Sequence, residues 1–117
     1  MKGVVADKSF LFAIEVVKAA RGLRRAKEFE LSSQLLRSGT SVGANVAEAG
    51  YAQSKADFIA KLSIALKEAA ETKYWIRLLQ ATGDVAPEEA ATLTEQATEL
   101  IRLLTASIKT TKQQQDP

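Results

Sequence analysis

The stretch QLLRSGTSVGANVAEAG, Gln34 to Gly50, decides how this chain folds. Its apolar residues recur as they would on a helix, yet Gly, Ser, Thr and Asn fill the positions between them. Those residues favour helices weakly, and each interior Gly costs about 1 kcal/mol relative to Ala. A helix here is stable only when neighbours supply the difference. Leu31, Leu35, Val42 and Val46 form an apolar ridge, and Gly39, Gly43 and Ala47 fall beside it at every fourth position. That strip has no bulk, so another backbone can come close along it. The spacing predicts a helix over about 30–49 that is tightly packed on at least one side.

Three further helices are predicted around it. The first runs over about 8–27, with Asp7 as N-cap. On it Phe10, Ala13, Ile14, Val17 and Ala20 form one apolar stripe, and Phe12, Val16 and Leu23 an adjoining one. Together they cover more than half the circumference, so this helix expects neighbours on two sides. The third runs over about 55–82, with Gly83 as its stop. Its seam is Phe58, Leu62, Ala65, Ala69, Thr72, Ile76 and Leu79, at alternating spacings of four and three. Away from that seam, Ile64, Tyr74, Trp75 and Leu78 carry a second apolar surface. The fourth, over about 87–112, starts at Pro87, which suits the first helical position. Ala90, Leu93, Ala97, Leu100, Leu104 and Ile108 make its seam, and the tail KQQQDP is expected to fray. Short connections make consecutive helices antiparallel. The fold class is therefore all-α, an antiparallel up-down four-helix bundle in one domain over residues 1–117.

Composition removes many functions. The 117 residues include no Cys and no His, so thiolate chemistry, zinc–thiolate sites and the usual general base are absent. The expectation is a protein that is no enzyme, with no metal and no cofactor. The longest apolar run, FLFAIEVV, is short and contains Glu15, and no secretory signal precedes it. A cytoplasmic protein without a membrane partner is expected. GTSVGANVAEAG lacks the Gly-Lys-Ser/Thr ending of a phosphate loop.

Three sets of residues stand out as interaction candidates. Lys18, Arg21, Arg24, Arg25 and Lys27 lie within ten residues, and the first 27 residues carry seven Lys or Arg against Asp7 and Glu15. Asp84 to Leu104 reverses that balance, with five carboxylates against Arg102. The basic cluster suits phosphates, and it equally suits a helix C-terminus paired with the acidic fourth helix. Gln34, Arg37, Ser41, Asn45 and Glu48 form a polar stripe on the second helix. This stripe either faces a ligand or subunit, or fixes helix register through hydrogen bonds, or is simply a solvated face. Glu68 and Glu71 read as surface charges with Lys67 and Lys73 beside them. Ile64, Tyr74, Trp75 and Leu78 form the third set, a subunit interface or a dock for another polypeptide.

Gln34, Arg37, Ser41, Asn45, Ala47-Glu48, Phe58, the SIALKEAAET run from Ser63, Tyr74-Trp75 and the ending LIRLLTASIKTTK together carry a resemblance. The chain is similar over almost its whole length to the bacterial family named for the protein encoded in the intervening sequence of 23S ribosomal RNA genes. The resemblance implies a left-handed bundle assembling as a ring of five subunits. A distant relative of that family, the accessory protein of diversity-generating retroelements, is a basic barrel that binds nucleic acid. The expected role is a non-catalytic homo-oligomeric scaffold, with RNA or DNA as partner of the basic cluster. The alternative is a protein-interaction module with no nucleic-acid role.

Overall fold

The computed structural model describes residues 3–114, which form four α-helices: α1 (Val4–Arg25), α2 (Phe29–Ala49), α3 (Lys55–Ala81) and α4 (Pro87–Gln113). They form a rod of 53 × 20 × 19 Å in which α1 packs on α2, α2 on α3, α3 on α4, and α4 returns to α1. The α1–α4 seam is much the thinnest, and the backbones of the diagonal pairs stay apart. Along the α1–α2 seam, contacts run in opposite numerical order. As α2 advances from Ser32 to Gly39 to Gly43, its partners on α1 fall from Ala20 to Val16 to Ser9.

The seams of α2, α3 and α4 lie where periodicity puts them. Leu35, Val42 and Val46, then Leu62 to Leu79, then Ala90 to Ile108 are buried, while Leu31 and Phe58 are half-buried against the core. The first helix differs in two ways. It begins at Val4, with Gly3 as its N-cap, and Asp7 sits within the first turn rather than capping it. There Asp7 still complements the positive end of the helix dipole. Of the two expected stripes, the one containing Phe12, Val16 and Leu23 is buried, joined by Val5, Ser9, Ala19 and Ala20. Phe10 and Ile14 point outward, 68% and 37% exposed.

Connections between helices have definite chemistry. After α1, the Glu28 N–H donates to Leu23 O and the Lys27 N–H to Arg24 O, both at 2.9 Å. This double closure places Lys27 at φ 65°, where Gly is the usual occupant. Gly83 fills the same role after α3 at φ 80°, with Asp84 N–H donating to Leu79 O and Gly83 N–H to Gln80 O. Ser54 caps α3 by accepting from Asp57 N–H at 3.0 Å, and the Asp57 carboxylate accepts from Gln53 N–H. Pro87 opens α4 as expected. That helix continues to Gln113, and the end of the tail expected to fray, residues 115–117, lies outside the described residues.

The glycines of α2 are explained at the α1 seam. A Cβ on Gly39 would lie 2.5 Å from Val16 Cγ1, and one on Gly43 would lie 3.3 Å from the Ser9 carbonyl oxygen. Two interior glycines cost about 2 kcal/mol. Fully burying Phe12, Val16 and Val42 returns about 1.5–3 kcal/mol for each. Packing wins. Ser32 Oγ adds a buried bond across the same seam, donating to Ala20 O at 2.7 Å. Val16 is β-branched and cannot swing aside, so Gly39→Ala is expected to destabilise the protein by about 1–3 kcal/mol. In urea melts, Val16→Ala placed in the same chain should cost less than it does alone. Simple additivity of the two losses would overturn this account of the contact.

Candidate interaction surfaces

The basic cluster lies at the C-terminal end of α1, where positive charge complements the helix dipole. Lys18, Arg21, Arg24, Arg25 and Lys27 are all exposed. Lys18 reaches Glu15 at 3.6 Å, and the Arg24 guanidinium lies 5.3 Å from the centroid of the Phe29 ring. Among the described residues, Arg21, Arg25 and Lys27 form no ion pair. Pairing of this cluster with α4 is therefore not made within the chain. The α1–α4 ion pair lies outside the cluster, between Lys8 and Glu99 at 2.6 Å. Hydrogen bonding to Lys8 lowers the Glu99 carboxyl below its ordinary range, with a smaller contribution from Arg102. Beside this pair, Gln96 Oε1 is buried without a donor among the described residues.

The polar stripe runs down the α2–α3 seam. Arg37 forks across it, one nitrogen donating to Glu68 at 3.2 Å and the other to Glu71. Glu71 also accepts from Trp75 Nε1 at 2.9 Å. Ser41 Oγ donates to Arg37 O at 2.7 Å, and Asn45 Nδ2 donates to Ser41 O at 2.8 Å, so both are satisfied by their own helix. Glu48 reaches Lys61 at 3.6 Å, and Gln34 is exposed. Beneath the stripe, Ser38 and Thr72 hydroxyls pair at 3.0 Å in the buried seam. The structure thus assigns Glu68 and Glu71 to Arg37, not to the adjacent lysines. Sequence reading missed this link. Its one visible trace was the four-residue spacing of Glu71 and Trp75 on α3.

The third set is divided. Ile64 is 38% exposed and Tyr74 56% exposed, whereas Trp75 and Leu78 are half-buried. Trp75 packs against the bundle's own core and meets Tyr74 edge to face, centroids 5.2 Å apart. A second apolar face lies on α1, the helix expected to have neighbours on two sides: Val4, Phe10, Leu11 and Ile14 are all exposed. Between that face and α2 lies a groove of about 340 Å³, floored by Ala6, Ala13, Gly43, Ala44 and Ala47 and walled by Phe10. The glycine-rich strip is thus two-sided, with Gly39 against Val16 and Gly43 edging an open groove. Another groove, of about 480 Å³ between α3 and α4, is lined by Lys73, Tyr74, Arg77, Gln80 and Thr94. Among the described residues, no helix is long and apolar enough to cross a membrane.

The sequence profile described as 23S rRNA-intervening sequence protein matches residues 1–106. The chain is also similar to a crystal structure from Bacteroides thetaiotaomicron VPI-5482, a protein of unknown function from the S23 ribosomal protein family. The two are 50% identical with a TM-score of 0.88, over 91% of this chain and 99% of the other. No curated protein matches the chain significantly.

Two outcomes test these contacts. Arg37→Ala leaves Glu68 and Glu71 without their shared cation. The expected loss is up to about 1 kcal/mol of stability, shrinking as salt is added. Because Trp75 is the one Trp in the sequence, its emission should shift in parallel. Unchanged denaturation at low salt argues against the bridge. For Glu99, the folded carboxyl titrates below the unfolded one. Its stabilisation is then complete above the ordinary Glu range and lost as pH falls through the lowered value. An NMR titration should show the Glu99 midpoint rising toward the ordinary value in Lys8→Ala.

Proposed function

Since the chain belongs to the 23S rRNA-intervening sequence protein family, we propose that it is a non-catalytic scaffold that acts as a ring of identical subunits. The number five comes from the family resemblance. One observation carries the reading: four helices complete a buried core and still leave Phe10, Leu11, Ile14, Ile64 and Tyr74 facing solvent. Large apolar side chains grouped on two faces mark association surfaces. The finer architecture belongs to the same proposal, an antiparallel, up-down, left-handed bundle. The opposed numbering of contacts along α1–α2 and α2–α3 supports the antiparallel part.

In this reading the basic residues Lys18 to Lys27 of each copy gather at one end of the ring and receive an acidic partner, RNA or DNA, in the cytoplasm. Support comes from Arg21, Arg25 and Lys27, whose charges no neighbouring carboxylate takes up among the described residues. The exposure of Tyr74 favours a second reading, in which Ile64, Tyr74, Trp75 and Leu78 dock a different polypeptide.

Mass photometry at micromolar concentration separates the two, since a ring gives one discrete multiple of the 12.6 kDa chain and the docking module a monomer. Duplex and single-stranded oligonucleotides should bind at low salt, weakening steeply at higher salt as counterions are released. Charge reversal at Arg21, Arg25 and Lys27 should abolish binding without changing oligomer size. No binding at low salt would discard the nucleic-acid role.

A further inference from the structure

We propose that the groove between α3 and α4 binds a nucleotide, with its phosphate held by Lys73 and Arg77 and its base laid against the Tyr74 ring. Every lining residue comes from one chain. The site goes beyond the reading above, because it needs neither a second copy nor the basic end of α1.

Charge is sorted between the two flanks of α3. On the flank toward α2, Glu68 and Glu71 take Arg37, and Lys61 reaches Glu48. Glu71 also accepts from Trp75 Nε1. Lys73, the lysine nearest Glu71 in sequence, is left over. With Arg77 it lies one turn along the flank toward α4. Among the described residues, neither Lys73 nor Arg77 forms an ion pair. Like charges four residues apart repel and destabilise a helix. Lys73 is half-buried, so salt screens the pair less than two exposed charges. An anion seated between them relieves that repulsion.

The lining fits a nucleotide better than a bare anion. The groove holds about 480 Å³, within the roughly 300–1,000 Å³ of small-molecule sites and far more than a phosphate fills. None of its lining residues, Ala70, Lys73, Tyr74, Arg77, Gln80 and Thr94, is a carboxylate. Lys73 supplies a point charge and Arg77 a planar fork, the two ways in which side chains hold phosphate. Tyr74 lies beside Lys73 with its ring exposed, and any base can stack on such a ring. Gln80 offers an amide that both donates and accepts, and Thr94 a hydroxyl. Those groups suit a base edge or a sugar.

The surroundings favour the same occupant. Ala70 sits one turn before Tyr74 and leaves the ring without a bulky neighbour on that side. The ring is already steadied by its edge-to-face contact with Trp75, centroids 5.2 Å apart, so stacking a base on it orders little that was free. On α4, Glu95 follows Thr94 but projects about 100° further around the helix, outside the lining. Ile64 lies in the row of Lys61, Glu68 and Glu71 toward α2. The cations of the groove are therefore on the other flank from that apolar residue.

The test titrates the full chain with AMP, beside adenosine and orthophosphate, and follows backbone amide signals by NMR. AMP should shift the signals from Lys73 to Gln80 and at Thr94 in a saturable way, more weakly as salt rises. Adenosine and orthophosphate each lack half of the contact and should bind about tenfold more weakly or worse. Lys73→Gln and Arg77→Gln should each weaken AMP about tenfold, and Lys73→Arg should retain it. Tyr74→Leu should weaken AMP and leave orthophosphate unchanged. Because the two cations make no ion pair within the chain, the combined Lys73→Gln and Arg77→Gln variant should keep its helicity and urea midpoint. AMP should then raise the midpoint of the wild type and not of that variant. A terminally phosphorylated oligonucleotide identifies the source. Tighter binding than AMP at the same signals means a strand end, and weaker binding a free nucleotide, and both uphold the site. No saturable shift with AMP, shifts confined to Lys18 to Lys27, or equal affinity for AMP and either comparison overturns it. Mass photometry of the same samples reports the ring separately, so a monomer that binds AMP removes the ring reading and leaves this site standing.

Discussion

Val16 meets α2 at Gly39, where a side chain is missing, and the depth of that contact sets how α1 lies on the rest of the bundle. A methyl group at Gly39 would have to occupy the space of a Val16 methyl. With Val16 fixed inward, helical geometry turns Phe12 and Leu23 inward beside it and sends Phe10 and Ile14 to the opposite side. One contact thus chooses the buried stripe of α1. It also determines which apolar residues remain exposed.

The polar content of α2 has a related explanation. Hydroxyl and amide side chains in mid-helix compete for backbone groups, and here Thr40, Ser41 and Asn45 bond carbonyls of their own helix. Ser32 and Ser38 are instead buried at the two seams, facing Ala20 on α1 and Thr72 on α3. Small polar residues therefore allow close approach while keeping their hydrogen bonds. Arg37 is the exception in reach, extending to α3 and drawing together Glu68, Glu71 and, through Glu71, Trp75.

Three of the four core seams were legible because on each an extended run of apolar spacings of three, four or seven marks one continuous line, and period then fixes the inward face. On α1 two stripes adjoin, and periodicity does not say which is buried. The deciding fact lies on another helix, in the empty space at Gly39. The start of α1 was obscured because Asp7 is a good cap residue, while the cap in the structure is Gly3, which makes no side-chain bond. Among the interaction candidates, exposure of the basic cluster was readable from charge. The partners of Glu68 and Glu71 were not, since a long Arg crossing from another helix outcompetes lysines adjacent in sequence.

The thin seam between α1 and α4 has a consequence for how the chain reaches this shape. Its three broad seams join helices consecutive in sequence, while first and last helices meet lightly around Lys8 and Glu99, next to a Gln96 oxygen that has no donor among the described residues. Most of the structure can therefore be wound from hairpins of neighbouring segments, a topology of low contact order that favours rapid folding. Bringing the beginning and end of the chain together is the closing step of such a process, and a latch so slender is where the rod first comes undone.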